Sequence, residues 1–248
     1  MTARLAGKTA LVTGGNTGIG RAICLAFAEA GADVAVAWHE QEAQAESLCQ
    51  AIEKMGRRAL MVQTDVTEEA SVAHLFSEVT SVMGQLDILV NNAGIQKSQP
   101  ITESTLADWD RMMAVHLRGA FLCSRAAASI MRPRGGRIIN LCSQLGYIGR
   151  ADYTAYSAAK GGVIAFTRAL AKELAPDRIL VNGVAPGLVD TGFDPLSEEA
   201  KTEHAAALPL KRLGTPQDMT SAFVFLASDD GEYYCGQILH PNGGEIMP

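Results

Sequence analysis

The feature that most constrains this sequence is an alternation: short apolar runs are separated by longer stretches with helical periodicity along nearly the whole chain. Apolar runs without period-two alternation suit strands buried on both faces, and such strands are joined in parallel through helices. The expected fold class is therefore α/β, a parallel doubly wound sheet with helices on both faces. The strand runs are Thr9 to Thr13, Val34 to Trp38, Ala59 to Thr64, Ile88 to Asn91, Arg137 to Leu141, Ile179 to Val184 and Gln237 to His240, which makes the sheet seven-stranded. Helical periods cover Gly20 to Ala30, Glu42 to Met55, Glu69 to Met83, Leu106 to Met131, Thr154 to Ala175 and Gln217 to Ala227. Gly31, Gly56 and Pro176 stand where three of these helices should stop.

With 248 residues, 48% of them hydrophobic, the chain can bury one large core, and residues 1–248 are expected to form a single domain. Residues 188–215 show no clear strand and mix Gly, Pro and charge, which suits a substrate lid. The net charge of -6, with Lys and Arg scattered, gives no dense positive face for nucleic acid. The five cysteines include no C-x-x-C pair and read as reduced thiols. No apolar run approaches the roughly 18 residues of a membrane span and the N-terminus has no leader pattern, so a cytoplasmic protein without membrane partners is expected.

Gly14, Asn16, Thr17, Gly18, Ile19 and Gly20 lie between the first strand and the first helix. Glycines there let a pyrophosphate approach the backbone at a helix N-terminus, so the segment is a candidate dinucleotide site. The spacing is G-x-x-x-G-x-G rather than G-x-G-x-x-G. Together with Asn91-Asn92-Ala93-Gly94 and Tyr156-Ser157-Ala158-Ala159-Lys160, this turn resembles the short-chain dehydrogenase/reductases. Asp65-Val66, Ser143, Pro186-Gly187 and Asn242-Gly243-Gly244 follow in family order, so the resemblance spans nearly the whole chain. It implies a single-domain Rossmann fold, an NAD(P)-dependent oxidoreductase acting on CH-OH/C=O, and a homotetramer packed through the helices that start at Leu106 and Thr154.

Tyr156 and Lys160 are four residues apart in a helical stretch and project from one face. A cation about 4 Å from a phenol contributes on the order of 4 kcal/mol at an effective dielectric near 20, which brings a tyrosine of reference pKa about 10 toward neutrality. Ser143, at the C-terminal end of the fifth strand, can hydrogen-bond the substrate oxygen. One position departs from the family pattern. Where the resemblance implies an asparagine that holds a water linking the lysine to solvent, this chain has His116, which could keep that water, titrate within the relay, or simply pack.

The resemblance places the cofactor against the glycine turn, Trp38, His39, Asp65, Val66, Asn92, Ala93, Gly94, Tyr156, Lys160, Pro186, Gly187 and Val189. An acidic residue after the second strand would select NAD; Trp38 stands there, and His39 is the nearby basic candidate, so the lean is to NADP. Asp65 is expected to contact adenine or to cap the next helix. The expected substrate pocket comprises Gln96, Gln144, Tyr147, Tyr153 and Leu188, a polar and aromatic set suited to a sugar, polyol or small ketone. The alternative substrate is a 3-oxoacyl thioester, because family members acting on carrier-bound chains present basic residues near Arg132, Arg134 and Lys172. From another class, the rival is a non-catalytic dinucleotide-binding redox sensor or scaffold. No G-x-S-x-G elbow surrounds Ser143, His39-Glu40 lacks the second histidine of a zinc motif, and no metal site is expected.

Overall fold

The computed structural model describes residues 3–192 and 197–248. Strands β1 (Thr9–Thr13), β2 (Asp33–Trp38), β3 (Ala59–Gln63), β4 (Ile88–Asn91), β5 (Gly136–Leu141), β6 (Ile179–Val184) and β7 (Ile238–Leu239) form one parallel sheet in the order β3-β2-β1-β4-β5-β6-β7. The winding reverses between β1 and β4, and that switch point opens a crevice at the C-terminal ends of the strands.

The helices described are α1 (Gly18–Glu29), α2 (Glu42–Lys54), α3 (Glu69–Met83), α4 (Leu106–Met113), α5 (Gly119–Met131), α6 (Leu145–Ile148), α7 (Thr154–Leu174), α8 (Glu198–Ala207) and α9 (Pro216–Ala227). Successive strand side chains face opposite layers. Ala10, Val12, Val34 and Val36 pack with Phe27 of α1 and Phe223 of α9, whereas Leu11, Ala35 and Leu89 pack with Leu75 of α3, Met131 of α5 and Leu174 of α7. Both faces of the sheet are thus covered, and burying each of the larger side chains contributes about 1.5–3 kcal/mol.

Three segments differ from expectation. The stretch Leu106 to Met131 is two helices joined by a π-helical turn at Ala114–Arg118, whose added residue a 3.6-residue period does not reveal. The last strand is confined to Ile238–Leu239, because the Gln237 amide donates to the Asn182 side chain at 2.9 Å. Inside the expected lid lies α8, capped by Ser197, whose Oγ accepts from the Ala200 amide; it buries no residue and so lacks the apolar stripe that marks a helix in sequence. Residues 193–196 of that lid lie outside the described residues. Among the described residues, no helix is long and apolar enough to cross a membrane.

Candidate active site

The turn from β1 into α1 is built around backbone positions that exclude side chains. Gly14 has a φ of +59°, and a Cβ there would meet the Ala93 Cα at 3.0 Å. At Gly20 a Cβ would lie 2.2 Å from the Gly14 carbonyl oxygen. Gly18, at φ +51°, opens α1, preceded by an extended Thr17, with Ile19 packed on the core below. Asn92 ties the turn to β4: its Nδ2 donates to the Thr13 and Gly14 carbonyls at 2.9 and 2.8 Å. The Thr13 Oγ1 accepts from the Asn92 and Ala93 amides. Asn16 braces the other side by donating to the Glu40 carbonyl at 2.8 Å. The first-turn amides of α1 have no partner within the helix, which leaves a rigid donor-lined end.

Tyr156 and Lys160 stand one turn apart on α7, with the Lys160 Nζ 5.7 Å from the Tyr156 ring centroid. Lys160 is 3% exposed, its Nζ donates to the Leu141 carbonyl at 2.6 Å, and burial pushes its pKa down to about 8. That carbonyl lies two residues before the buried Ser143, whose Oγ accepts from the Leu145 amide at 3.1 Å. A Cβ on Gly146 of α6 would meet the Lys160 carbonyl carbon at 2.8 Å, so a glycine is what lets α6 and the Ser143 turn close on α7. A buried polar chain fixes the same helix: Asn91 donates to Ser124 and to Asn140, and Asn140 donates to Thr167 of α7.

His116 lies on the π-helical turn and joins this group. Its ring meets that of Tyr156 edge to face, and its Nε2 lies 2.7 Å from the Ile95 carbonyl. The same Nε2 lies 3.2 Å from the Ile95 amide, so Ile95 presents it with both a donor and an acceptor, and Nδ1 is buried without a protein partner. Burial, aided by the Lys160 charge, pushes the imidazole pKa down to about 3 and keeps it neutral. A cavity of roughly 10 Å³, about the room one water needs, is lined by His116, Lys160, Asn91 and Thr13. A Cβ on Gly94 would touch the His116 Cε1 at 2.6 Å.

At the opposite end of the crevice, Trp38 is buried at the end of β2 with its Nε1 unpartnered. His39 is half-exposed, 3.7 Å from the Asp65 carboxylate and 3.9 Å from Glu40. The Asp65 carboxylate accepts from the amide and hydroxyl of Thr67, while Val66 packs into the core against Gly119. Burial opposes the Asp65 charge, but the Thr67 bonds and His39 hold its pKa below the ordinary value. It is not the cap of α3, whose N-cap is Glu68.

The expected pocket residues are only partly gathered. Gln144 follows Ser143 and donates from its amide to the Pro186 carbonyl, and Gly187 packs against Asn242. The Leu188 carbonyl accepts from Gly214, and Val189 bridges to the same residue. Gln96 follows Gly94 on the loop above His116, and Tyr153 is buried at the start of α7 under Arg150. Tyr147 packs against His240 and Arg168. Arg132, Arg134 and Lys172 lie at the far edge: the strand from Gly136 to Leu141 separates the two arginines from Ser143 by about 20 Å. Arg132 is also paired with Asp177 at 2.9 Å. Glu245 and His204 were not expected at the site, yet Glu245 accepts from Gln144 and faces His204 at 3.4 Å. Neither belongs to a recognisable motif, and the C-terminal loop that brings Glu245 in carries no periodicity. Among the described residues, no cluster of His, Cys, Asp and Glu is placed to hold a metal ion.

A family model described as enoyl-(acyl carrier protein) reductase matches residues 14–245. The chain is 38% identical over 247 residues to the 3-oxoacyl-(acyl-carrier-protein) reductase of Aquifex aeolicus, covering 98% of this chain and 99% of that protein. Its structure matches a short-chain type dehydrogenase/reductase from Mycobacterium marinum with a TM-score of 0.94 and 35% identity, over 99% and 98% of the two chains. A blue fluorescent protein from a metagenomic library, solved in complex with NADPH, matches with a TM-score of 0.93 and 39% identity, over 98% and 100%. The family motifs lie around one crevice in a fold shared with these proteins, and the chain belongs to the short-chain dehydrogenase/reductase family.

Proposed function

We propose that this chain is a single-domain, NAD(P)-dependent oxidoreductase that interconverts a secondary alcohol and a ketone, with Tyr156 as the general acid and base. The observation that carries this reading is the buried Lys160 ammonium, fixed by the Leu141 carbonyl one helical turn from Tyr156. A cation held there favours the phenolate over the phenol and makes the proton transferable near neutrality. Ser143, at the end of β5, holds the substrate oxygen beside the phenol.

The glycine turn fits a dinucleotide, because side chains at Gly14 and Gly20 would occupy the space against the backbone where a pyrophosphate must lie. Bound there, the cofactor supplies or accepts the hydride. Trp38 leaves the end of β2 without a carboxylate for a ribose hydroxyl, and His39 offers a basic partner for a 2'-phosphate, so NADP is the preferred form. The related protein solved with NADPH supports that preference.

His116 acts as a positioning residue for the proton path. Neutral and held at Nε2 by Ile95, it presents Nδ1 to a water-sized cavity shared with Lys160, in the place where the family resemblance implies asparagine. Residues 188–215 serve as the substrate lid. The substrate is a sugar, polyol or small ketone. A second reading, reduction of a 3-oxoacyl thioester, is favoured by the Aquifex aeolicus relative. The exposed Leu106, Trp109 and Phe121 on α4 and α5 support a homotetramer.

The test is cofactor absorbance with a panel of ketones and alcohols, run with NAD(H) and NADP(H). Tyr156→Phe should retain cofactor binding and lose at least about 100-fold in turnover. Undiminished turnover in that variant refutes the assignment, and tight cofactor binding without turnover of any panel member favours a redox sensor.

A further inference from the structure

Helix α8 buries no residue, so no apolar stripe seats it on the body of the molecule. Two polar side chains three apart, and therefore on one face, reach the body instead. The Lys201 Nζ lies 3.2 Å from the Asp190 carboxylate and the His204 Nε2 lies 3.4 Å from that of Glu245. Their side chains are 24% and 25% exposed, against 85% for Glu198 on the same helix, which marks this face as the inward one.

The two contacts lead to opposite ends of the crevice. Asp190 adjoins Thr191, whose side chain a Cβ on Gly18 would meet at 3.6 Å, so Lys201 moors α8 toward the glycine turn. On the other side, the Glu245 Oε2 that faces His204 also accepts from the Gln144 Nε2 at 2.5 Å, directly after Ser143. An ionised carboxylate only accepts, so both partners donate to that one oxygen. Glu245 is itself held in place. Its amide donates to the Asn242 carbonyl, and the Asn242 side chain bonds the Gly244 amide and the Ile246 carbonyl. The same loop grips the chain beyond α8: the Gly243 carbonyl accepts from the Leu210 amide, and a Cβ on Gly244 would meet Pro209 at 2.9 Å.

We propose that Glu245 is a positioning residue whose single carboxylate ties α8, through His204, to the Ser143 turn, through Gln144. Seating of α8 and placement of Ser143 are then one event, which deepens the oxidoreductase reading above and rests on it. Partly exposed polar contacts contribute little in water, and a helix without buried side chains opens locally at small cost, so α8 parts from the body readily. Its closure expels water from the crevice, where the Ser143 hydrogen bond and the Lys160 charge then act more strongly. When α8 lifts, the carboxylate that steadies Gln144 loses its second partner, and the Ser143 turn loosens with it.

The test uses His204→Ala, Glu245→Ala and the double variant, with acetoin and acetoacetyl-coenzyme A as ketones and amide hydrogen exchange as a readout independent of turnover. Exchange in α8 should quicken at least about fivefold in each single variant, with the central strands unchanged as the check on folding. KM should rise at least about fivefold in each, and no further in the double variant, because both substitutions break one contact. Only Glu245→Ala also frees Gln144, so it should lower kcat at least about fivefold more than His204→Ala does. Unchanged α8 exchange in Glu245→Ala, or losses in KM that add in the double variant, overturns the shared carboxylate while Tyr156-dependent turnover leaves the oxidoreductase reading standing. Equal kcat in the two single variants overturns the link to Ser143. Quickened α8 exchange in a protein without Tyr156-dependent turnover on any carbonyl overturns the oxidoreductase reading, and with it the part of Glu245 in a reaction.

Discussion

The His116 imidazole meets the Tyr156 ring edge to face, with centroids 5.3 Å apart and planes at 89°. This contact belongs to a neutral ring, because burial and the Lys160 charge lower the His116 pKa from 6.5 to about 3. In the proposed proton path it is therefore a fixed neutral group and not one that titrates during turnover.

Acid stability follows from the same shift. In the unfolded chain His116 binds a proton below about pH 6.5, and in the folded chain only near pH 3. The unfolded state thus takes up more protons as pH falls between those values, and the stabilisation present above pH 6.5 is progressively lost. The thermal midpoint of wild type should drop across this window, and that of His116→Asn should drop less. Parallel declines would show that His116 does not carry the effect.

Lys160 sets a limit at the other end. With its pKa lowered by burial from 10.5 to about 8, it loses its proton as pH rises through about 8, and with it the charge that steadies the Tyr156 phenolate. Ketone reduction should decline through that range. Lys160→Met should cost about 100-fold in turnover and abolish that limb of the pH profile. A profile unchanged in the variant would assign the limb to another group.

Gly94 tests how tightly the histidine is held. A Cβ there would lie 2.6 Å from the His116 Cε1, so Gly94→Ala should destabilise the fold by about 1–3 kcal/mol in denaturant titration. Adding His116→Asn, a smaller side chain, should recover part of the loss. Additive losses in the double variant would place the strain elsewhere.

Much of this arrangement was legible because it follows local rules. The strand runs and the glycine turn declare themselves through periodicity and backbone sterics, and Tyr156 and Lys160 share a face by helical spacing alone. The lining of the site was less legible. His116 turns inward on a π-helical turn that no 3.6-residue pattern encodes, and α8 hides because it buries no apolar face. Tyr147 was expected in the pocket, and its ring packs on His240 and Arg168, contacts that sequence spacing does not reveal. Gln144 was read as lining the pocket, yet its orienting partner Glu245 is 101 residues away in sequence, a pairing only the fold creates.

On the proposed reading, cofactor choice turns on the end of β2. Trp38 is 6% exposed with its indole N–H unpartnered, so Trp38→Asp places a carboxylate where a ribose hydroxyl needs an acceptor. The variant should move the NADP-to-NAD ratio of kcat/KM toward NAD by at least about tenfold. An unchanged ratio would mean that the ribose is read from another position.

Assembly is the last property the surface predicts. Leu106 is 74% exposed, Trp109 39% and Phe121 45%, and they occupy α4 and α5, beside a groove lined by Met113, Leu117 and Phe166. Apolar side chains gathered on adjoining helices suit a two-fold contact in which the same face meets itself, and repetition through a second face closes a tetramer. A carboxylate at Phe121 would replace that apolar contact with a charge, whose nearest cation, Arg125, stacks over the Phe121 ring of the same helix and is shared with Glu69. In sedimentation velocity the wild type should run as four copies, and Phe121→Asp as a smaller species with its cofactor binding intact. A wild-type protein that sediments as one copy at working concentration would refute the assembly, and an undisturbed tetramer in Phe121→Asp would move the interface to a different face.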